Sequence, residues 1–143
     1  MRVLLDANTL ISFLLHPERS SPVTAVVREG ILGHFTLLVP ERLLEELEAR
    51  VADKPYLAER IDREDLEELV AILRQTAEML PEIEEPVPAV VRDQKDDYLI
   101  AHAVMGQADY LVTGDDDLLS LGRIDAIRIL SPRQFWDLLK AQP

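Results

Sequence analysis

Two hydrophobic patterns alternate along this chain. Strands that are buried on both faces are predicted by short, largely apolar runs at residues 3–5, 35–39, 110–113 and 126–130. Between these runs, apolar residues recur at helical spacing, which predicts helices over residues 10–15, 22–29, 41–51, 62–80, 96–105 and 118–121, and from 132 onward. Strands that alternate with helices favour an α/β fold, in which helices cover both faces of a parallel sheet.

Capping residues set the expected ends of several helices. Asp62 is placed to cap the longest helix, and Gly30 is expected to close the second one. We expect Asn8 or Thr9 to cap the first helix. Asp6, at the end of the first strand, then has no obvious capping role and becomes a candidate for chemistry.

The length of 143 residues suits a single domain that covers residues 1–143. Pro81, Pro86 and Pro88 predict an irregular connection rather than a domain boundary, because neither side would form a complete core alone. The chain has no cysteine, no signal-peptide pattern at its start and no apolar run long enough to span a membrane. We therefore expect a cytoplasmic protein with no membrane association.

The chain is strongly acidic, with 27 acidic against 15 basic residues and a formal net charge of −12. Proteins that bind nucleic acid usually carry a basic patch. An acidic balance fits a basic partner, a cation site or plain solubility. Charge alone does not choose between them, so the placement of the carboxylates matters more than their number.

Four groups of carboxylates fall where predicted strands end or predicted helices begin. They are Asp6; Glu45 and Glu46; Asp93, Asp96 and Asp97; and Asp115, Asp116 and Asp117. The carboxyl ends of neighbouring parallel strands lie at one edge of a sheet, and the helix starts lie on the same rim. Crowded carboxylates need a counter-charge. A divalent cation such as Mg²⁺ or Mn²⁺, which prefers oxygen ligands, would supply it.

Most of these carboxylates also have a purely structural explanation. Glu45 points away from the leucine stripe of its helix and is expected in solvent, whereas Glu46 lies nearer that stripe's flank. Asp93 and Asp96 have the spacing of a capping pair. Asp117 is placed to cap the short helix that begins at Leu118. Spacing alone therefore leaves the choice of ligands open.

Other kinds of catalytic site are poorly supported. His16, His34 and His102 are scattered without metal-ligand spacing, so we interpret each as a surface residue or a polar residue of the core. The sequence contains neither a glycine-rich phosphate loop nor the nucleophile elbow of serine hydrolases.

Four segments in order, VLLDANT, LLEELEARV, DQKDDYLIAHAV and ADYLVTGDDDLL, resemble the PIN domain family over nearly the whole chain. Within the family, the segments resemble bacterial and archaeal PIN proteins that are toxin components of toxin–antitoxin pairs and relatives of the VapC-type toxins. The resemblance implies a three-layer α/β sandwich with a parallel sheet of strand order 3-2-1-4-5. It also implies a Mg²⁺- or Mn²⁺-dependent ribonuclease, often a homodimer, that a small antitoxin neutralises.

The resemblance assigns roles to particular residues. Asp6, Asp97 and Asp115 match the family's metal ligands, and Glu46, rather than Glu45, matches its helix glutamate. Asp96 is the second choice for the position given to Asp97. The remaining matches are the supporting or outer residues Asn8, Thr113 and Asp117. Pro40 stands where relatives often have a serine before the glutamate helix.

The combined prediction is a metal-dependent endoribonuclease that acts on single-stranded or looped RNA. No obvious basic track for RNA stands out; the available cations are Arg19, Arg28, Arg42, Arg50 and Lys54. Two alternatives stay open. One is a haloacid-dehalogenase-like phosphatase, although the residue two after its nucleophile would have to be acidic and is Asn8. The other is a non-catalytic PIN-like binding module, whose carboxylates would only be structural.

Overall fold

The computed structural model describes residues 1–84 and 94–142. Asp93, Pro86 and Pro88, on which parts of the predictions rest, lie outside these ranges. The strands are β1 Arg2–Leu5, β2 Thr36–Pro40, β3 Glu78–Leu80, β4 Tyr110–Val112, β5 Arg123–Ile124 and β6 Ile127–Leu130. The helices are α1 Ala7–Leu15, α2 Pro22–Ile31, α3 Glu41–Asp53, α4 Pro55–Arg60, α5 Arg63–Thr76, α6 Gln94–Met105, α7 Asp116–Leu121 and α8 Pro132–Lys140.

The strands form one sheet in the order β3-β2-β1-β4-β6-β5. The first five in this order pair in parallel, whereas β5 pairs antiparallel with β6 at the edge. Counting only the parallel strands along the chain gives the order 3-2-1-4-5. The α/β fold class and the strand order implied by the family resemblance are therefore confirmed, and the short antiparallel edge strand was not predicted.

Both faces of the sheet are buried. Along β1, Val3 and Leu5 belong to one hydrophobic cluster and Leu4 to another, because successive side chains of a strand point to opposite faces. Helices α1 to α5 and α8 contribute to the first cluster. Helices α6 and α7 contribute Ile100 and Leu118 to the second. This arrangement explains the uninterrupted apolar runs in the sequence. None of the described helices is long and apolar enough to cross a membrane.

The prediction of one helix over residues 62–80 was wrong in its last turn. Asp62 caps α5 as expected, but the helix ends at Thr76 and the chain continues as β3. Residues Glu78–Leu80 pair with the last three residues of β2. The apolar residues at 77 and 80 happen to continue the helical spacing of α5. Backbone pairing with β2 overrides that pattern, and nothing in the side-chain pattern announces it.

Gly30 does not close α2 as predicted, because the helix runs on to Ile31. A Cβ atom at Gly30 would lie 3.0 Å from Cζ of Phe35, so the glycine allows the helix to pack closely on that ring. Gly33, two residues after the helix, has the positive φ of 83° that favours glycine in the turn into β2. Helix α4 and strand β5 were also not predicted.

Candidate active site

A cavity of about 300 Å³ opens where β1, β2 and β4 end. Four carboxylates line it: Asp6, Glu46, Asp96 and Asp115. They come from four separate segments of the chain, the end of β1, helix α3, the first turn of α6 and the residue before α7. The carboxyl edge of an open parallel sheet is where α/β proteins usually place their sites.

Asp6 is held by three hydrogen bonds. Its Oδ1 atom accepts from the backbone N–H of Thr9 at 2.8 Å and from the hydroxyl of Thr9 at 2.6 Å. Its Oδ2 atom accepts from the hydroxyl of Thr113 at 2.6 Å. Asp6 is therefore the N-cap of α1, and the prediction that Asn8 or Thr9 caps this helix was wrong. The strand ends at Leu5, so Asp6 is already in position to accept the first free N–H groups of the helix.

Thr113 connects Asp6 to Asp115. Thr113 is fully buried directly after β4, and its hydroxyl oxygen accepts a hydrogen bond from the backbone N–H of Asp115 at 3.0 Å. Asp115 Oδ1 in turn accepts from the backbone N–H of Asp117 at 2.8 Å, which makes Asp115 the N-cap of α7. Asp117, predicted as the cap, is exposed and not part of the cavity wall.

Arg50 lies between Asn8 and Glu46 and contacts both. Arg50 Nη2 donates to Asn8 Oδ1 at 2.8 Å, and Arg50 Nη1 lies 3.8 Å from Glu46 Oε1. All three residues line the cavity, whereas Glu45 is exposed outside its wall. Pro40 is the N-cap of α3 and provides no side-chain hydrogen bond to that helix.

The two neighbouring aspartates of α6 differ in position. Asp96 lines the cavity, whereas Asp97 is 5% exposed and forms no part of the cavity wall. Adjacent residues of a helix are separated by roughly 100° around its axis. The two side chains therefore point in different directions from α6. The geometry favours Asp96, although the sequence interpretation gave Asp97 first preference.

His102 is a cavity residue that the sequence analysis missed. It is 3% exposed and lines the same wall as Asp96, and its Nε2 atom has no hydrogen-bond partner among the described residues. Burial is the main cause that lowers the pKa of His102; Glu82 raises it and Arg42 lowers it. One feature of the sequence could have indicated this position. His102 follows the apolar Leu99 by three residues, a spacing that places both side chains on the inner face of α6.

The carboxylates have the chemistry of a metal site, but their side chains are not arranged closely enough to hold an ion. Within residues 1–84 and 94–142, no three carboxylate or imidazole side chains are grouped closely enough to hold a metal ion. The donor set nevertheless fits Mg²⁺ or Mn²⁺, because four carboxylates from four segments line one cavity. Asp115 Oδ2 accepts no hydrogen bond from any described residue, so it is available as a ligand.

Solved structures with the same fold are known. The chain is similar to VapBC2 from Rickettsia felis, in a crystal structure bound to a DNA fragment from their promoter, with 15% identity and a TM-score of 0.59; the match covers 92% of this chain and 98% of that chain. It is also similar to PAE2754 from Pyrobaculum aerophilum, with 17% identity, a TM-score of 0.57 and coverage of 99% and 91%. At these identities the likeness shows the fold alone. Among the curated proteins, no relative matches.

The family model of the PIN domain matches residues 2–117, from β1 into the first turn of α7. The matched region contains all four cavity carboxylates as well as Thr113. The match does not support the alternative of a haloacid-dehalogenase-like phosphatase. This chain belongs to the PIN domain family.

Proposed function

We propose that this protein is a metal-dependent endoribonuclease and the toxin of a toxin–antitoxin pair. The observation that carries the proposal is the convergence of Asp6, Glu46, Asp96 and Asp115 on one cavity at the carboxyl edge of the sheet. PIN domains are generally nucleases, so the family and the chemistry of the cavity point in the same direction.

Asp6, Asp96 and Asp115 would hold Mg²⁺ or Mn²⁺, and Glu46 would contribute from the opposite helix. When bound, such an ion supplies Lewis acidity and neutralises charge on the phosphodiester. Asp97 is the alternative to Asp96 that the family resemblance favours. Because Asp97 is buried and is not among the residues that line the cavity, we propose it as an outer residue of the site rather than a direct ligand.

The protein's own groups orient the reaction. The hydrogen bonds from Thr9 and Thr113 fix both oxygens of Asp6 before substrate binds. In the hydrolysis step, a water oxygen would form a bond to phosphorus while the phosphorus–oxygen bond to one ribose breaks. A carboxylate would take the water's proton, and the departing ribose oxygen would take a proton from solvent. Glu46, which lies partly exposed on the cavity wall, is our candidate for that base.

The proposed substrate is single-stranded or looped RNA in the cytoplasm. The groove of an RNA duplex hides base edges from protein side chains, whereas an unpaired strand can enter a cavity beside a helix. The test is cleavage of an RNA pool with and without Mn²⁺, followed by sequencing of the new ends. Specific ends that require Mn²⁺ and disappear in Asp6→Asn would support the proposal.

A scaffold function would give a different result. If wild-type protein cuts no RNA and its melting temperature does not respond to Mn²⁺, the carboxylates are structural and the chain is a non-catalytic binding module. Cation binding should raise the melting temperature, because a ligand of the folded state stabilises it by mass action. The two readouts separate a missing metal site from a missing RNA substrate.

We further propose a homodimer and a small basic antitoxin as partner. An arginine from the antitoxin would pair with Asp6, Asp96 or Asp115, since its guanidinium matches carboxylate geometry. Attraction to a chain of net charge −12 would make association fast and sensitive to salt. Binding of the neighbouring gene's product, measured at low and high salt and with excess Mn²⁺, tests this. Affinity that ignores both salt and metal would rule out a partner at the acidic cavity.

A further inference from the structure

Helix α3 carries a row of charged residues along the cavity. Arg42, Glu46, Arg50 and Lys54 follow one another at four-residue intervals, and all four line the cavity. Residues four apart lie on the same face of a helix. Three of the four are cations, so a basic row borders an acidic cavity in a chain of net charge −12. We call Arg42, Arg50 and Lys54 the α3 basic row.

The two arginines are held in place at the cavity. The Arg42 guanidinium lies 3.7 Å from the centroid of the Tyr98 ring on α6 and also pairs with Glu82 at 3.2 Å. Arg50 donates to Asn8 at 2.8 Å. Side chains that are already ordered lose less conformational freedom when they bind a ligand. Arg42 and Arg50 therefore form a preorganised surface rather than two mobile charges.

Lys54 extends the row past the end of α3, where it is the C-cap residue. It is exposed and forms no ion pair with any residue that the structure describes. Within the row, Arg42 already pairs with Glu82, and Arg50 Nη1 lies 3.8 Å from Glu46 Oε1. At ~1.5 Å per helical residue, the row from Arg42 to Lys54 is about 18 Å long. That length suits several consecutive phosphates of a strand better than one small anion.

We infer that the α3 basic row binds the backbone phosphates of the RNA strand that flank the scissile phosphate. The inference rests on the proposed ribonuclease function and adds the surface that positions its substrate. A phosphodiester that approaches four carboxylates is repelled unless nearby cations compensate. Phosphate contacts fix the register of a nucleic acid without reading its sequence. Arg42, Arg50 and Lys54 are thus positioning residues.

The direct test is RNA binding without cleavage. The probe is a short fluorescein-labelled single-stranded RNA of mixed sequence, and binding is followed by fluorescence anisotropy in EDTA over a series of salt concentrations. Each phosphate contact to a single strand contributes about 0.7 to the slope of log affinity against log salt. We expect Lys54→Gln and Arg42→Gln each to reduce the slope by about 0.7, which weakens binding about five-fold at 0.1 M salt.

Controls separate position from overall charge. Lys140→Gln removes the same charge on α8, outside the cavity, and should leave slope and affinity unchanged. Lys54→Arg should restore both. In cleavage assays Lys54→Gln should raise KM with kcat unchanged, because it removes binding that is equal in the ground and transition states.

Two results would overturn the inference. Equal slopes for wild type, Lys54→Gln and Lys140→Gln would remove the row from RNA binding while leaving a Mn²⁺-dependent cleavage activity intact. Absence of any RNA binding by wild-type protein would also overturn the inference. If the slopes change as expected but no cleavage occurs in Mn²⁺, the ribonuclease proposal fails and the RNA-binding row stands.

Discussion

The same local arrangement occurs twice at the edge of this sheet. Asp6 directly follows β1 and caps α1, and Asp115 lies three residues after β4 and caps α7. Asp6 is 7% exposed and accepts hydrogen bonds from two threonines, whereas Asp115 is half-buried and accepts one from a backbone N–H. Asp6 therefore has a structural role in addition to its proposed role as a ligand, whereas Asp115 is less constrained by hydrogen bonds. We expect substitutions at the two positions to separate stability from activity.

The largest effect should follow from Asp6→Ala. It removes the cap of a nine-residue helix and leaves the buried donors of Thr9 and Thr113 without their acceptor. We expect the free energy of unfolding to fall by about 3 kcal/mol and cleavage to be lost. Asp115→Ala should lose cleavage but only about 1 kcal/mol, the usual cost of a cap. Urea unfolding followed by circular dichroism measures both.

Asp6→Asn is the matched control. Asparagine caps helices about as well as aspartate, so the fold should be retained, and loss of one charge relieves repulsion within the cavity. The variant should still lose cleavage and the stabilisation by Mn²⁺. Equal losses of unfolding free energy in Asp6→Ala and Asp115→Ala would show that the two carboxylates are equivalent after all.

A second comparison concerns the two aspartates of α6. Because Asp96 lines the cavity and Asp97 does not, Asp96→Asn should reduce kcat by about 100-fold or more, and Asp97→Asn by about ten-fold or less. RNA cleavage in Mn²⁺ by both variants, at equal protein concentration, decides between them. A larger loss in Asp97→Asn would restore the assignment that the family resemblance gave.

Carboxylates at strand ends could be identified from the sequence, whereas those on helix faces could not be assigned to one residue. A buried strand that stops at a carboxylate marks Asp6 and Asp115 by pattern alone, since a parallel sheet gathers its strand ends at one edge. The choice between Asp96 and Asp97 depends on how α6 is rotated about its axis. Its apolar residues do not fix that rotation to within one position. The four motifs therefore point to this edge of the sheet but do not show which of the two aspartates faces the cavity.

Two further features depend on tertiary contacts. Strand β3 exists because its backbone pairs with β2, and its side chains at 77 and 80 imitate a continuing helix. The α3 basic row lies on the flank of the leucine stripe, where charged residues are expected in solvent when only the sequence is known. Only the packing of α3 beside the sheet edge shows that this face borders the cavity.

Thr113 offers a smaller test of how Asp6 and Asp115 are connected. Thr113→Val keeps the shape of the buried side chain but removes the donor to Asp6 and the acceptor for the N–H of Asp115. We expect unfolding free energy to fall by about 1–3 kcal/mol and cleavage to fall about ten-fold. Thr113→Ser keeps the hydroxyl and should recover most of the activity. If valine and serine behave alike in the cleavage assay, the hydroxyl does not orient the carboxylates.

The smallest expected effect concerns the pH dependence of stability. Burial lowers the pKa of His102 below its ordinary value of 6.5, so between the folded and unfolded pKa the unfolded chain binds the proton more readily. His102 thus favours the folded state above pH 6.5, and this contribution is lost as pH falls below it. Urea unfolding across this range should show a shallower decline in His102→Gln than in wild type. His16→Gln, at an exposed position, should follow wild type, and identical slopes in all three proteins would mean that His102 is protonated as easily as a histidine in water.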